Sequence, residues 1–255
     1  MEWRSKLDFF FDNFEWKADV AGILVFGSQI TGGATIHSDL DVHFIFDEKV
    51  DFRQQGNRNV EGLLIEYFAN PPRQIRKYFE DDIATSKLKY VVEFASGEVH
   101  LDRTGIAADL KNEAIKIHKE FYEKSSETKV MSSRDKYKIW NMKHGLQAYK
   151  LAGRLDIDFV HHLYLDRLVA LYMDHISRPY SPQLILGGID DDRFRKKYMW
   201  QRLPDPAIAE LIASSVTTGN IERKLSLFVS LADKILEKFG GFEIDGFRSK
   251  IPLDL

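Results

Sequence analysis

No cysteine occurs among the 255 residues, which excludes disulfides and thiolate metal sites. Positive charge is not in excess either: 36 Lys and Arg stand against 39 Asp and Glu, for a net charge of −3 and a pI near 6.3. Without a global basic field, non-specific capture of nucleic acid is disfavoured and a small-molecule substrate is favoured. No apolar run approaches a membrane span, and Met1-Glu2-Trp3-Arg4 opens no secretory signal. A cytoplasmic chain is therefore expected. Internal repeats and low-complexity segments are absent too. What is there is ordinary for a globular protein, 44% apolar and 29% charged, enough to bury a core in one large domain or two modest ones.

The informative stretch is Ile23 to Phe46, ILVFGSQITGGATIHSDLDVHFIF. Two apolar runs, Ile23–Phe26 and Val42–Phe46, read as short strands bounded by turn chemistry. Asp39 and Asp41 stand two apart where the second run begins. Strand side chains alternate with period two, so both carboxylates leave one face, beside Gly27-Ser28. Adjacent unpaired carboxylates raise each other's pKa, and a divalent cation relieves the repulsion. Oxygen-only ligands with open positions suit magnesium. An Asp-x-Asp pair in a turn is commonly a local cap, but Asp41 runs straight into an apolar strand, where a carboxylate is costly unless paired or metal-bound.

At these residues the chain resembles the nucleotidyltransferase superfamily that includes DNA polymerase beta and the antibiotic nucleotidyltransferases. The shared pattern is an apolar strand, Gly-Ser, about ten residues, then Asp-x-Asp inside a second apolar strand. Here ten residues, Gln29 to Ser38, separate Gly27-Ser28 from Asp39-Leu40-Asp41. The resemblance implies an α+β fold: an N-terminal mixed-sheet catalytic domain with flanking helices, then an all-helical C-terminal domain. It also implies a third carboxylate on a neighbouring strand. Glu66, central in the apolar run Val60–Ala69, is its natural occupant, with Glu61 and Glu93 as rivals and Asp the commoner residue among relatives. Asp39, Asp41 and Glu66 would then hold two magnesium ions. Gly27 and Ser28 would face the phosphates of ATP or another nucleoside triphosphate, and the acceptor would be a hydroxyl of an aminoglycoside-like small molecule.

The rest of the chain is read by period. An amphipathic helix is expected within residues 1–19, from Trp3, Leu7, Phe10, Phe11 and Phe14. Residues 47–59 read as a polar loop, and Val60–Ala69 as the third strand, stopped by Asn70-Pro71-Pro72. A helix over 73–82 comes next. Lys89–Phe94 reads as a strand, joined by a hairpin turn to Val99–Leu101, and a helix covers 109–122. Residues 123–128 form a plausible linker, giving domains of 1–128 and 129–255. Beyond it, helices are expected near 132–153, 157–176, 190–201, 205–215 and 220–239.

Two further groups of residues are candidates. Lys136, Lys143 and Lys150 recur on one face of the 132–153 helix. They form either a solvated stripe or a cationic seat for the β- and γ-phosphates, with Lys143 and Lys150 the better placed. Asp166, on the 157–176 helix, is either a buried structural partner or the general base for the acceptor hydroxyl. His161 and His162 are adjacent and no histidine pair has zinc spacing. The run Arg193-Phe194-Arg195-Lys196-Lys197, bracketed by acidic residues, reads as a solvated face. Two alternatives stay open: transfer to protein or tRNA, and a non-catalytic, antitoxin-like nucleotide-binding partner. Oligomeric state is not set by the sequence.

Overall fold

The computed structural model describes residues 2–124, 129–182 and 185–250. The chain divides into two compact units: Met1–Lys124 with Asp191–Gln201, and Ser125–Asp190 with Arg202–Leu255. Of the polar stretch 123–128, residues 125–128 lie outside the described residues.

In the first unit, helix α1 (Glu2–Asp12) precedes β1 (Val20–Phe26), a single helical turn α2 (Ser28–Thr31) and β2 (Leu40–Phe46). Then come β3 (Gln54–Val60), β4 (Leu63–Asn70), α3 (Pro72–Thr85), α4 (Lys89–Ser96), β5 (Glu98–Asp102) and α5 (Ile106–Lys124). The sheet order is β3-β4-β2-β1-β5. Only β2 and β4 run parallel; the other neighbours are antiparallel. Strand alternation sorts the side chains cleanly. Ile23, Val25, Val42, Phe44 and Phe46 face α1, whose Leu7, Phe10 and Phe11, with Phe14 just after the helix, form the other half of that core. Phe14 and Phe44 bring their ring centroids to 4.7 Å. Leu24, Phe26 and Ile45 face the opposite layer, built from α3, α4 and α5. Asp41, two residues before His43 and four before Ile45, falls on that second face.

Two segments of this unit differ from expectation. Residues 54–60 are a strand, not a loop, and the run expected to start at Val60 belongs to a hairpin. Glu61 (φ 47°) and Gly62 (φ 84°) make its two-residue turn, the left-handed pair that matches strand twist. The Asn59 side chain accepts from Gly62 N at 3.0 Å. As an edge strand, β3 is held by its ladder to β4 and needs no apolar rhythm. The second difference is α4. Lys89–Ser96 carries strand-forming Tyr, Val and Phe yet is helical, with Val91, Phe94 and Ala95 buried at helical spacing. A buried carboxylate on α3, Asp82, accepts from Val91 N at 2.9 Å and also from the amides of Lys89 and Tyr90. That cap comes from another helix, so local propensity is overruled by a tertiary contact. The expected hairpin turn at 95–98 is instead the end of α4, and β5 begins at Glu98.

The second unit is helical among its described residues: α6 (Ser133–Leu151), α7 (Ile157–His175), α8 (Ile185–Asp190), α10 (Pro206–Thr217) and α11 (Ile221–Lys238). Side-chain caps from Ser132, Asp205 and Asn220 start α6, α10 and α11. Leu165, Leu168, Tyr172, Ile212, Phe228 and Leu231 are among its buried residues. The single helix expected over 190–201 is broken at Asp191. Its carboxylate accepts from Arg193 N (2.8 Å) and Phe194 N (3.3 Å), starting a separate helix, α9 (Asp192–Lys197). That helix belongs to the first unit. No helix among the described residues is long and apolar enough to cross a membrane.

Candidate active site

β1 ends at Phe26, paired with Asp41 on β2, and Asp41 pairs in turn with Glu66 on β4. In-register neighbours point to the same side of a sheet, so the two acids stand side by side on adjacent strands. Asp39, just before β2, joins them: one carboxylate oxygen from each of Asp39, Asp41 and Glu66 lies within 4.8 Å of the others. All three are half-buried.

Gly27 makes this packing possible. Its φ of +80° is a left-handed conformation that favours glycine. A Cβ there would stand 2.1 Å from Asp41 Oδ2. Ser28 then opens the tight turn α2, its carbonyl accepting from Gly32 N and Gly33 N at 3.2 Å each. Gln29 Nε2 reaches Ser38 O at 3.4 Å, closing the loop back toward Asp39.

Electrostatically the cluster is expensive. The Asp41 carboxyl is pushed up to about 7, first by burial and then by Asp39, Glu93 and Glu66; Lys197 acts the other way. Three converging carboxylates with an unfavourable charge density are the donor set a hard divalent cation takes. Behind them, His43 Nε2 meets Glu93 Oε2 at 3.1 Å. The His43 ring packs between Phe26 (4.8 Å) and Phe94 (4.6 Å). Glu93, on α4, thus partners a histidine, and Glu61 sits in the β3–β4 turn.

The other expected residues lie in the second unit and are engaged there. Lys143 pairs with Asp233 at 2.6 Å, and Lys150 is bonded to Glu222. Asp166 accepts from the Tyr180 hydroxyl through both its side chain and, at 3.2 Å, its carbonyl. Asp158, His161 and His162 also bring one ligand atom each within 4.8 Å. A cation already occupies that carboxylate, however, because Lys224 Nζ donates to Asp158 Oδ1 at 2.7 Å.

Sequence reasoning missed Lys197. It lies far along the chain in a charge run with no visible pattern, and no local signal places it near Asp41. α9 packs beside α2, and Thr31, Gly33, Arg193, Phe194, Lys197 and Tyr198 are among the residues enclosing a cavity of about 270 Å³.

The mixed five-stranded sheet thus carries Asp41 and Glu66 side by side on β2 and β4, with Asp39 just before β2. Residues 10–122, somewhat less than half of the chain, match the family described as "Nucleotidyltransferase domain". That match marks residues 10–122 as a nucleotidyltransferase domain and supports a nucleotidyltransferase activity. No curated protein matches the sequence. Among solved structures, a nucleotidyltransferase-like protein from Exiguobacterium sibiricum is similar at 13% identity and a TM-score of 0.46, over 92% of this chain and 74% of that one.

Proposed function

We propose that the protein transfers a nucleoside monophosphate, AMP from ATP, to a hydroxyl of an aminoglycoside-like small molecule, with magnesium held by Asp39, Asp41 and Glu66. The observation that carries this reading is the convergence of those three carboxylates on one sheet face, against a glycine that admits Asp41. Magnesium bound there would offset the negative charge that develops on the transferring phosphoryl group and its leaving group. In the reaction the acceptor oxygen forms a bond to the α-phosphorus. The bond from that phosphorus to the bridging oxygen breaks, and pyrophosphate departs with the electron pair. The hydroxyl proton passes to Glu66 or to water. The Asp166 carboxylate is instead engaged by the Tyr180 hydroxyl.

The small-molecule acceptor is favoured by the net charge of −3, which gives no electrostatic reach for a polyanionic substrate. The test is pyrophosphate release from ATP, with magnesium and with chelator, against aminoglycosides, tRNA and the protein itself. Magnesium-dependent release with an aminoglycoside acceptor supports the reading. Release that is unchanged in Asp41→Asn would sink it, and release only with tRNA or protein would replace the acceptor.

A further inference from the structure

We propose that Lys197, with Arg193 one turn before it on α9, seats the β- and γ-phosphates of the nucleoside triphosphate. This rests on the nucleotidyl-transfer reading above and assigns the cation that reading leaves unplaced.

A triphosphate brought to an acidic triad needs positive charge from elsewhere, because the triad repels it and metal offsets only part of the charge. Lys143 and Lys150 are already spent on Asp233 and Glu222 in the second unit. Lys197 is different in three ways. It lines one cavity together with Thr31 and Gly33 of the turn that follows Gly27-Ser28. It forms no ion pair among the described residues, its ammonium resting 4.9 Å from the Tyr198 ring centroid. And it is half-buried, unlike its exposed neighbour Lys196, so its charge is less screened by water.

The cavity beside it, about 270 Å³, lies next to the glycine-rich turn. One wall is the turn after Gly27-Ser28, contributing Thr31 and Gly33; the other is α9 with Arg193 and Lys197. A Cβ added at Gly32 or Gly33 would meet nothing within 4 Å, so the turn itself is uncrowded at both positions. The acid in the lining, Asp191, is turned to cap α9 and stands 3.7 Å from the Arg193 guanidinium. Two residues just past its C-terminus anchor α9. Met199 packs into the core of the first unit, its carbonyl accepts from His118 Nε2 at 3.1 Å, and Trp200 is buried. A segment distant in sequence is therefore held firmly enough to present a fixed cation.

The experiment is calorimetric binding of ATP, AMP and inorganic tripolyphosphate to the full chain in magnesium. Lys197→Met should weaken ATP and tripolyphosphate by about 10- to 100-fold, the worth of a charge-assisted phosphate contact, while AMP binding moves less than about twofold. Lys197→Arg should recover most of the loss, and Arg193→Ala should show a smaller one. Lys196→Met serves as the charge-matched control and should bind like wild type. Unchanged ATP affinity in Lys197→Met overturns the proposal, as does equal loss of ATP and AMP. If wild type itself binds no ATP, the nucleotidyl-transfer reading falls first, a distinct result. If Lys197→Met does not fold, failure of Arg193→Ala to weaken tripolyphosphate overturns it instead.

Discussion

The carboxylate of Asp41 lies so close to the backbone of Gly27 that a Cβ on residue 27 would come within 2.1 Å of Oδ2. Glycine at the end of β1 is thus a steric condition for the acidic cluster, besides a convenience for the turn. Gly27→Ala should displace Asp41 and distort a backbone at φ +80°, costing about 1–3 kcal/mol of stability. Catalytic rate should fall by about 100-fold, since small misplacements of a reacting group are costly. Gly219→Ala, where an added Cβ meets nothing within 4 Å, is the control that should leave both unchanged.

Asp41→Asn should act in opposite directions on activity and stability. The folded-state carboxyl is raised from 3.8 to about 7, so the folded protein holds this proton more tightly than the unfolded chain. Stability from this group is present at low pH and is lost as pH rises through that window. Asparagine removes the repelled charge. At pH 7.5 without divalent metal, the variant should be more stable than wild type by about 1–3 kcal/mol, after allowance for partial exposure. Turnover should drop by about 100-fold or more. Thermal melts with and without magnesium check this: added metal should raise the Tm of wild type and hardly move that of the variant.

His161 should set part of the acid sensitivity of the second unit. Burial first, then the nearby charges of His162 and Lys224, push its pKa from 6.5 down to about 4, with Asp158 opposing. The unfolded chain binds this proton more readily, so stability is present above pH 6.5 and is lost as pH falls toward 4. Between pH 7.5 and 4.5, wild type should lose about 2–3 kcal/mol more than His161→Gln, which cannot titrate there. Urea unfolding at the two pH values measures the difference. Equal losses would show that the histidine is not the group responsible.

Asp82 tests whether α4 is held by its cross-helix cap. Asp82→Ala leaves the amide of Val91 without its 2.9 Å acceptor, at a cost of about 1–3 kcal/mol. Because α4 carries Glu93 against His43 beside the acidic cluster, turnover should fall as well, though less than in Asp41→Asn. Hydrogen exchange should show faster opening of residues 89–92 in the variant.

Much of the acidic cluster on β2 and β4 was readable from the chain itself. Period two put Asp39 and Asp41 on one face, Gly27-Ser28 marked the turn beside them, and Glu66 stood out as an acid in an apolar run. These are short-range signals, because strand alternation and turn chemistry act over a few residues. β3 escaped notice because an edge strand is specified by its partner's ladder and not by its own hydrophobicity. α4 escaped because its starting amides are satisfied by Asp82, on α3. Lys197 escaped for the same kind of reason at longer range: a lysine in a charge run acquires its place only when Met199 packs into the core of a unit whose strands end nearly a hundred residues earlier. The sequence alone set Asp39 and Asp41 on one face and left Glu66 with two rivals; the folded chain decided that Glu66 stands beside them and where Lys197 lies, because burial and charge pairing depend on neighbours that no local pattern encodes.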